Sequence, residues 1–278
     1  MSSRARRPAR AVDYGHVMRT VLVIGIGAGD PDHLTLQAVA ALRRADVFFA
    51  IDKGSAKDDL LALRTLLLDR HVGPGAYRVV EAADPERDRD ATGPGYREAV
   101  LDWQDRRAAV YAGMIDDELG PDGVGAFLVW GDPALYDGTL RLLAGIHDAD
   151  VASGGQGFTI ESVPGISSVA ALAAAHRLIL NRVGGSVLVT TGRRLAAGMP
   201  RDVDDVVVML DGSTAFAALP DDDVDIYWGA YLGTPDEILV AGNLQKVKDD
   251  IVRRRATARE RKGWIMDTYL LRRDPGRR

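Results

Sequence analysis

The chain has 278 residues, of which 46% are hydrophobic and 27% charged, proportions that are ordinary for a globular protein of one large or two modest domains. It has no cysteine, which excludes disulfides, thiolate nucleophiles and zinc sites built on cysteine. The formal net charge is -5, but residues 1–18 and 253–278 are both basic, so the body between them is strongly acidic. Basic ends can bind nucleic acid, or they can be solvated tails.

The sequence contains no targeting or membrane segment that we can identify. No apolar run reaches the ~20 residues that a membrane helix needs. Residues 1–18 lack the apolar core of a secretory signal, so we predict a disordered basic extension on a cytoplasmic protein without a membrane partner. The five histidines are scattered, so we predict no metal site, although a site built on carboxylates stays open.

Apolar, β-branched runs in the first half predict five strands, and the segments between several of them predict four helices. Thr35 is a candidate N-cap for the first helix, with Leu36, Val39 and Ala40 on one face. Alternating strands and helices predict right-handed crossovers and a mainly parallel sheet. The predicted strands are 20–25, 46–51, 77–82, 124–130 and 158–163, and the predicted helices are 35–45, 58–70, 96–118 and 137–147.

The second half has strand-like runs with shorter spacers, which predict a mixed sheet with some antiparallel pairs. The pattern changes after Pro164-Gly165, so we predict an N-terminal α/β domain at 19–165 and a C-terminal α/β domain at 166–278 that ends in the basic tail. The predicted strands are 186–191, 205–210, 224–230, 237–241 and 264–271, and the predicted helices are 167–175 and 244–255.

A glycine-rich turn follows the first predicted strand in "TVLVIGIGAGDPDHLT". A dinucleotide-binding motif has the spacing G-x-G-x-x-G, and its helix starts inside the motif. Here the glycines fall at 25, 27 and 29, and the carboxylates of Asp30 and Asp32 follow, where they would repel a phosphate. Asp52 does imitate the ribose-binding acid of that motif, so an NAD-binding fold stays an alternative, as does a tight turn without a ligand.

Three further glycine- and proline-containing turns follow predicted strands. They are "VWGDPALYDG" at 129–138, "SVPGISSVAALAAAH" at 162–176 and "YWGAYLGTPDE" at 227–237. Ligands of open α/β sheets bind at the carboxyl ends of the strands. Several glycine-rich turns at that edge would let a flat ligand approach backbone N–H and C=O groups closely.

The order G-x-G-x-G-D-P, G-D-P-x-L-Y, P-G-I-S-S resembles the tetrapyrrole methylase family, and the resemblance covers about residues 19–273. It implies a two-domain, non-Rossmann, class III methyltransferase fold with a mainly parallel N-terminal sheet, a mixed C-terminal sheet and a ligand cleft between them. It also implies S-adenosylmethionine as methyl donor, S-adenosylhomocysteine as product, a homodimer and no nucleic-acid partner. A sulfonium cation would tolerate Asp30, Asp32 and Asp132 nearby.

Four longer segments resemble one branch of this family: "TTGRRL", "VVVMLDG", "IYWGAYLGTPDEILVAG" and "RKGWIMDTYLLRR". That branch methylates precorrin-5 at C-1 and releases acetate, giving precorrin-6A. One alternative is a tetrapyrrole methylase that acts on a different precorrin or on uroporphyrinogen. Further alternatives are an RNA methyltransferase, an NAD-binding protein and a non-catalytic ligand sensor.

The resemblance also implies which residues contact the methyl donor. Family members more often have proline where this chain has Ala28, and asparagine where it has Leu232. Met209 lies at strand spacing and could equally be a core residue. The implied donor contacts are Ala28, Trp130, Gly131, Asp132, Leu135, Ser167, Ser168, Met209 and Gly233.

Methyl transfer to an electron-rich ring carbon needs no Ser-His-Asp arrangement, and none is suggested by the sequence. Loss of acetate needs proton transfers, for which Asp52 and Tyr136 are the candidates, unless they are a strand-end turn residue and a packed wall. Cations should bind the carboxylates of the substrate, unless they are simply solvated surface charges. The candidate cations are Lys53, Lys57, Arg64, Arg193 and Arg194.

Overall fold

The structure is a computed structural model that describes residues 18–52, 58–86, 94–200, 202–221 and 223–273. The predicted basic extension therefore lies outside the described residues except for Met18. Lys53 and Lys57, two of the predicted substrate cations, also lie outside them. In the described part of the chain, no helix is both long enough and apolar enough to cross a membrane.

The first sheet has five strands, all parallel, in the order β3-β2-β4-β1-β5. Because the strands are parallel, their carboxyl ends share one edge, and the glycine-rich turns meet there. This confirms the predicted parallel sheet. The strands are β1 (Thr20–Gly25), β2 (Val47–Asp52), β3 (Val79–Ala83), β4 (Val124–Val129) and β5 (Thr159–Val163).

Helices cover both faces of this sheet, which explains why its central strands are continuously apolar. In β1, Leu22 and Ile24 face one helix pair, while Val21 and Val23 face the other. The first pair is α1 (Leu36–Leu42) and α2 (Asp58–His71), and the second is α3 (Pro94–Glu118) and α4 (Thr139–Ala152).

The start of α1 is as predicted, but its buried face is not. The Thr35 hydroxyl caps the helix by accepting a hydrogen bond of 3.0 Å from the Ala38 N–H. The predicted face through Leu36 is wrong, because Leu36 is 89% exposed. The helix instead buries Ala38, Ala41 and Leu42, which lie beyond the first residues of α1 and pack in the same cluster as Leu22 and Ile24 of β1.

The second sheet has the order β6-β7-β10-β8-β9, in which only β6 and β7 are parallel, and this confirms the predicted mixed sheet. The helix α7 packs on one face and α5 on the other. The strands are β6 (Val187–Thr191), β7 (Asp205–Met209), β8 (Val224–Ala230), β9 (Ile238–Asn243) and β10 (Asp267–Arg273), and the helices are α5 (Ser168–His176), α6 (Gly192–Leu195) and α7 (Leu244–Lys262).

Several element boundaries differ from the sequence-based expectation, and the largest difference is at the end of the last helix. The last helix continues to Lys262 and ends at Gly263, whose φ of 75° is the left-handed cap that glycine favours. The last strand therefore starts later, at Asp267. Position 165, where we predict the domain boundary, lies between β5 and α5.

Candidate active site

Three glycines pack the turns after β1, β4 and β5 into one body. A Cβ at Gly25 would lie 2.7 Å from the Gly165 nitrogen and 2.8 Å from the Gly131 oxygen, where no side chain fits. Gly27 and Gly131 also pair as a short antiparallel bridge, with N–H to O=C distances of 3.3 and 2.8 Å. The glycines are therefore required because backbone meets backbone, a role that leaves the predicted contact of Gly131 with the methyl donor open.

The Asp132 carboxylate holds the second of these turns to the third. One oxygen accepts a hydrogen bond from the Ala134 N–H at 2.7 Å, and the other accepts from the Gly165 N–H at 2.9 Å. Each oxygen keeps a further lone pair that a ligand could use. The negative charge is thus fixed at the carboxyl edge of the first sheet.

The first glycine turn also touches the second half of the chain. A Cβ at Gly29 would lie 2.5 Å from the Leu232 oxygen, and a Cβ at Gly233 would lie 2.8 Å from the Asp30 nitrogen. Gly233 has a φ of 77° and donates its N–H to the Glu237 carboxylate at 2.8 Å. We call this contact between the 27–30 and 231–234 turns the seam.

An apolar cluster beside the seam brings together three predicted donor contacts, two from turns of the first half and one from the end of β7. Ala28, Leu135 and Met209 pack in the same cluster, with Leu232 from the seam. Ala28 is buried, while Leu135 and Met209 are half-buried and keep surface for a ligand. Met209 therefore belongs to a core cluster and also lies half-buried at its edge. Both alternatives for Met209, a core residue and a donor contact, are compatible with this position.

The sequence does not indicate the surroundings of Trp130 or the hydrogen-bond partners of Ser167 and Ser168. The Trp130 ring packs on the α1/α2 face of the first sheet, and its buried indole N–H has no partner in the described part of the chain. Ser167 caps α5 by accepting from the Ala170 N–H at 3.2 Å. The buried Ser168 hydroxyl accepts from the Thr268 hydroxyl at 3.0 Å and so ties α5 to β10.

Arg64 is a half-buried cation beside an opening in the first sheet. Strands β2 and β4 pair only as far as Phe49 and Phe127, although both continue. Arg64, on α2, donates to the Leu128 carbonyl at 3.2 Å, just beyond the last pair. Its Nε is buried without a hydrogen-bond partner, and none of its contacts within the described residues is with a carboxylate.

Burial lowers the pKa of the Arg64 guanidinium, and the nearby Tyr111 opposes this only in part. An arginine nevertheless stays protonated in a protein. The structure therefore holds a desolvated positive charge near the carboxyl ends of β2 and β4. Such a charge suits an anionic ligand.

The remaining predicted residues lie at the end of a strand or in the segment that follows one, in both halves. Arg193 and Arg194 are exposed on α6, immediately after β6. Tyr136 has a φ of 54° and is 45% exposed, and its hydroxyl donates to the Val189 carbonyl at 3.5 Å, which links the first half to β6. Asp52 is the last residue of β2, and its side chain lies outside the described part.

A buried polar network around Asp211, just after β7, is not predicted from the sequence. Asp211 accepts from the Tyr269 hydroxyl and from the Ala215 N–H, each at 2.7 Å, and its carbonyl accepts from Arg255 at 2.7 Å. Arg255 also pairs with Asp267 at 2.9 Å, and both side chains are buried. The signal in the sequence is the presence of Asp211 in "VVVMLDG", because its distant partners Tyr269 and Arg255 come from β10 and α7.

The geometry also bears on two alternatives from the sequence, a dinucleotide-binding motif and a metal site built on carboxylates. The turn after β1 runs into the 3₁₀ helix Pro31–His33, and α1 begins only at Leu36, so the glycines do not open a helix onto a pyrophosphate as a dinucleotide motif requires. Among the described residues, no group of three or more histidine or acidic side chains converges as a metal site would need.

Comparison with known proteins identifies the class. Residues 20–248 match the family described as Tetrapyrrole (Corrin/Porphyrin) Methylases, so the chain belongs to the tetrapyrrole methylase family. The resemblance inferred from the motifs is thereby confirmed.

Individual relatives are consistent with this assignment. The chain is 47% identical over 255 residues to a precorrin-6A synthase (deacetylating) from Sinorhizobium sp., covering 92% of this chain and 95% of that protein. It is 38% identical to a cobalamin synthesis related protein (CobF) from Corynebacterium diphtheriae, with a TM-score of 0.77, covering 92% of this chain and 99% of that one. A uroporphyrin-III C-methyl transferase from Thermus thermophilus, complexed with S-adenyl homocysteine, shares the fold at 17% identity, with a TM-score of 0.55 over 91% of each chain.

Proposed function

We propose that the chain is an S-adenosylmethionine-dependent C-methyltransferase that methylates precorrin-5 at C-1 and releases acetate to give precorrin-6A. The name of the Sinorhizobium relative, at 47% identity over nearly the whole chain, supports the choice of substrate. The observation that carries the donor site is the cluster of Ala28, Leu135 and Met209 beside the seam. Residues far apart in sequence converge there at the carboxyl edges of both sheets.

The residues present fit the donor. S-adenosylmethionine, when bound, supplies an electrophilic methyl group on a sulfonium centre. Asp30 and Asp132 lie in the turns that border the seam, where carboxylates would disfavour phosphate but tolerate a sulfonium. Ala28, Leu135 and Met209 exclude water from the same place, which favours a displacement whose charge disperses in the transition state. The glycine turns supply alignment, since their backbones are fixed against each other.

Cations on both halves orient the polycarboxylate ring. Arg64 provides a partly desolvated guanidinium beside β4, and Arg193 with Arg194 provides exposed ones beside β6. A guanidinium can bind a carboxylate through two parallel hydrogen bonds, so each arginine can fix a ring substituent in direction as well as in distance. Lys53 and Lys57 remain proposals from the sequence.

Acetate release requires water, and the step balances as follows. Water adds to the acetyl carbonyl carbon, the bond from that carbon to the ring breaks, its electron pair passes into the macrocycle, and the water loses its protons to a base. Asp52, at the end of β2, and Tyr136, beside β6, are our candidates for moving these protons. A Tyr136→Phe variant with unchanged turnover and an unchanged pH profile would remove Tyr136 from this role.

The test is an incubation with methyl-labelled S-adenosylmethionine and precorrin-5. We expect S-adenosylhomocysteine, a ring product with the label at C-1, and free acetate in equal amounts. Consumption of the donor without acetate would leave a tetrapyrrole methyltransferase but contradict the deacetylating activity. Parallel incubations with uroporphyrinogen and with other precorrins test the alternatives within the family.

The sequence-based expectations of a cytoplasmic homodimer and of two domains divided near residue 165 are also part of the proposal. Light scattering of the purified protein measures its mass directly. A value near that of one chain, 29.9 kDa, would contradict the dimer.

A further inference from the structure

A large apolar side chain that the donor site does not use lies exposed directly after Met209. Leu210 is 66% exposed, and its φ of 52° lies in the left-handed region that a leucine rarely adopts. Solvent exposure of a leucine on a strained backbone is unfavourable on both counts. Strain of this kind persists where the surroundings impose it, and it is concentrated at functional sites.

The surroundings of Leu210 do impose its conformation. The next residue, Asp211, is almost fully buried and accepts hydrogen bonds from Tyr269, Ser213 and Ala215, while its carbonyl binds Arg255. A Cβ at Gly192 would overlap the Asp211 carboxylate, so the start of α6 also packs against this anchor. The chain is thus fixed immediately after Leu210, and the leucine is presented on a rigid base.

Two other exposed apolar groups lie on or beside the neighbouring strand β6. Val189 lies on β6, next to Val207 of β7, and is 37% exposed. The Tyr136 hydroxyl reaches the Val189 carbonyl at 3.5 Å, so the tyrosine ring stands beside this strand. Val189 is the third of the five residues of β6, whereas Leu210 directly follows the carboxyl end of the neighbouring parallel strand β7, three residues beyond Val207, the partner of Val189. We call Tyr136, Val189 and Leu210 the ledge.

Charge next to the ledge indicates what it would bind. Arg193 and Arg194 follow β6 within three residues and are both exposed. Met209, a member of the apolar cluster of the donor site, precedes Leu210. An apolar surface bordered by guanidinium groups and adjacent to the donor site complements a flat ring with carboxylates on its periphery.

We propose that the ledge is the platform on which the plane of the tetrapyrrole rests, and that Leu210 is a specificity-determining residue of this platform. The proposal rests on the proposed function, because it takes the macrocycle as the ligand. The strained backbone fixes the height of the Leu210 side chain, and the ring is then presented to the donor side with its carboxylates toward Arg193 and Arg194. No covalent step is assigned to the ledge.

The experiment compares Leu210→Gly and Leu210→Asn with the wild-type chain. Both replacements suit a left-handed backbone, so the fold should be kept, and a thermal melt verifies this. Leu36→Ala is the matched control, because Leu36 is also an exposed leucine but lies on α1. Uroporphyrin III, a stable octacarboxylate, is the ring probe, measured by its fluorescence, and S-adenosylhomocysteine is the donor-site probe, measured by calorimetry.

We expect both Leu210 variants to bind uroporphyrin about tenfold more weakly, from the loss of one leucine contact, with unchanged affinity for S-adenosylhomocysteine. Leu36→Ala should bind both probes like the wild type. Unchanged uroporphyrin affinity in folded Leu210 variants would overturn the ledge and leave the proposed function intact. Weaker S-adenosylhomocysteine binding alone would also overturn it, because Leu210 would then contact the donor. A wild-type chain that binds neither probe would instead contradict the proposed function.

Discussion

The Asp132 carboxylate accepts a hydrogen bond of 2.9 Å from the Gly165 backbone N–H, 33 positions further along the chain. This bond joins the turn after β4 to the turn after β5, at the edge of the first sheet where we propose the donor site. The same carboxylate accepts from the Ala134 N–H through its other oxygen. Both oxygens of one side chain thus set the position of two turns.

We predict that Asp132→Asn lowers the free energy of unfolding by about 1–3 kcal/mol. Asparagine has one acceptor and one donor, so one of the two backbone N–H groups would lose its partner. Chemical denaturation measures the change, and calorimetry should show weaker binding of S-adenosylhomocysteine. Asp148→Asn is the control, because Asp148 is 81% exposed, and equal effects of the two substitutions would contradict this role of Asp132.

Gly165→Ala should be more harmful than the same change in a helix. A Cβ at Gly165 would lie 2.8 Å from Gly25 backbone atoms and even closer to the Gly131 oxygen, so we expect a loss of stability of about 1–3 kcal/mol together with loss of methyl transfer. Gly145, inside α4, has open space where its Cβ would be, so Gly145→Ala should stabilise the protein by about 0.5–1 kcal/mol. Thermal melts compare the variants, and a Gly165→Ala protein as stable as wild type would refute the close packing of the turns.

Two adjacent arginines of α7 should respond very differently to truncation. Arg255 and Asp267 form a buried pair, so Arg255→Met should cost about 3–5 kcal/mol by leaving the carboxylate without its partner. Arg254 pairs with Asp250 in solvent, so Arg254→Met should cost less than about 1 kcal/mol. Urea denaturation measures both. Replacing Asp267 by asparagine in the Arg255→Met chain should recover part of the loss, and a further loss would argue against the charge as its cause.

The pH dependence of stability should carry a contribution from Asp267. Burial raises the pKa of the Asp267 carboxyl above its ordinary value of 3.8, and Arg255 opposes this incompletely. The folded chain then holds this proton to a higher pH than the unfolded chain, so the contribution is present below pH 3.8 and is lost as the pH rises through the folded pKa. The unfolding free energy of wild type relative to Asp267→Asn should therefore fall as the pH rises from about 4. A difference that rises with pH would contradict the direction of the shift.

Arg64→Met should weaken substrate binding without lowering the stability of the protein. Removing a desolvated charge whose contacts in the described residues include no carboxylate should leave the melting temperature unchanged or higher. The apparent Michaelis constant for the tetrapyrrole should rise about tenfold, because a carboxylate of the ring would lose its guanidinium partner. Arg106→Met, on the surface of α3, is the control. A less stable Arg64→Met protein with a normal Michaelis constant would assign Arg64 to the fold alone.

Much of the fold follows from local patterns in the sequence. The strands of the first sheet are continuous apolar runs because both of their faces are covered, and Thr35 is recognisable as a cap from its position before an apolar run. The buried face of α1 was harder to predict, because Leu36 is apolar but lies exposed in the first turn of the helix. The true end of α7 was signalled by Gly263, although the preceding arginine-rich turns have little apolar periodicity.

The candidate site was predictable in part. Its turns carry recognisable motifs, but no motif shows how these turns pack together. The convergence of Ala28, Leu135 and Met209 requires both sheets to be in place. The buried anchor at Asp211 depends on Tyr269 and Arg255, and no spacing in the sequence connects them.

The seam has a consequence for how this chain can change. Gly29 and Gly233 meet the opposite backbone with no room for even a methyl group, so a side chain at either position would act as a spacer that forces the two sheets apart. We therefore expect substitutions that change the preferred tetrapyrrole to occur at positions such as Leu210, where side-chain size can vary without moving the sheets, and not at these glycines.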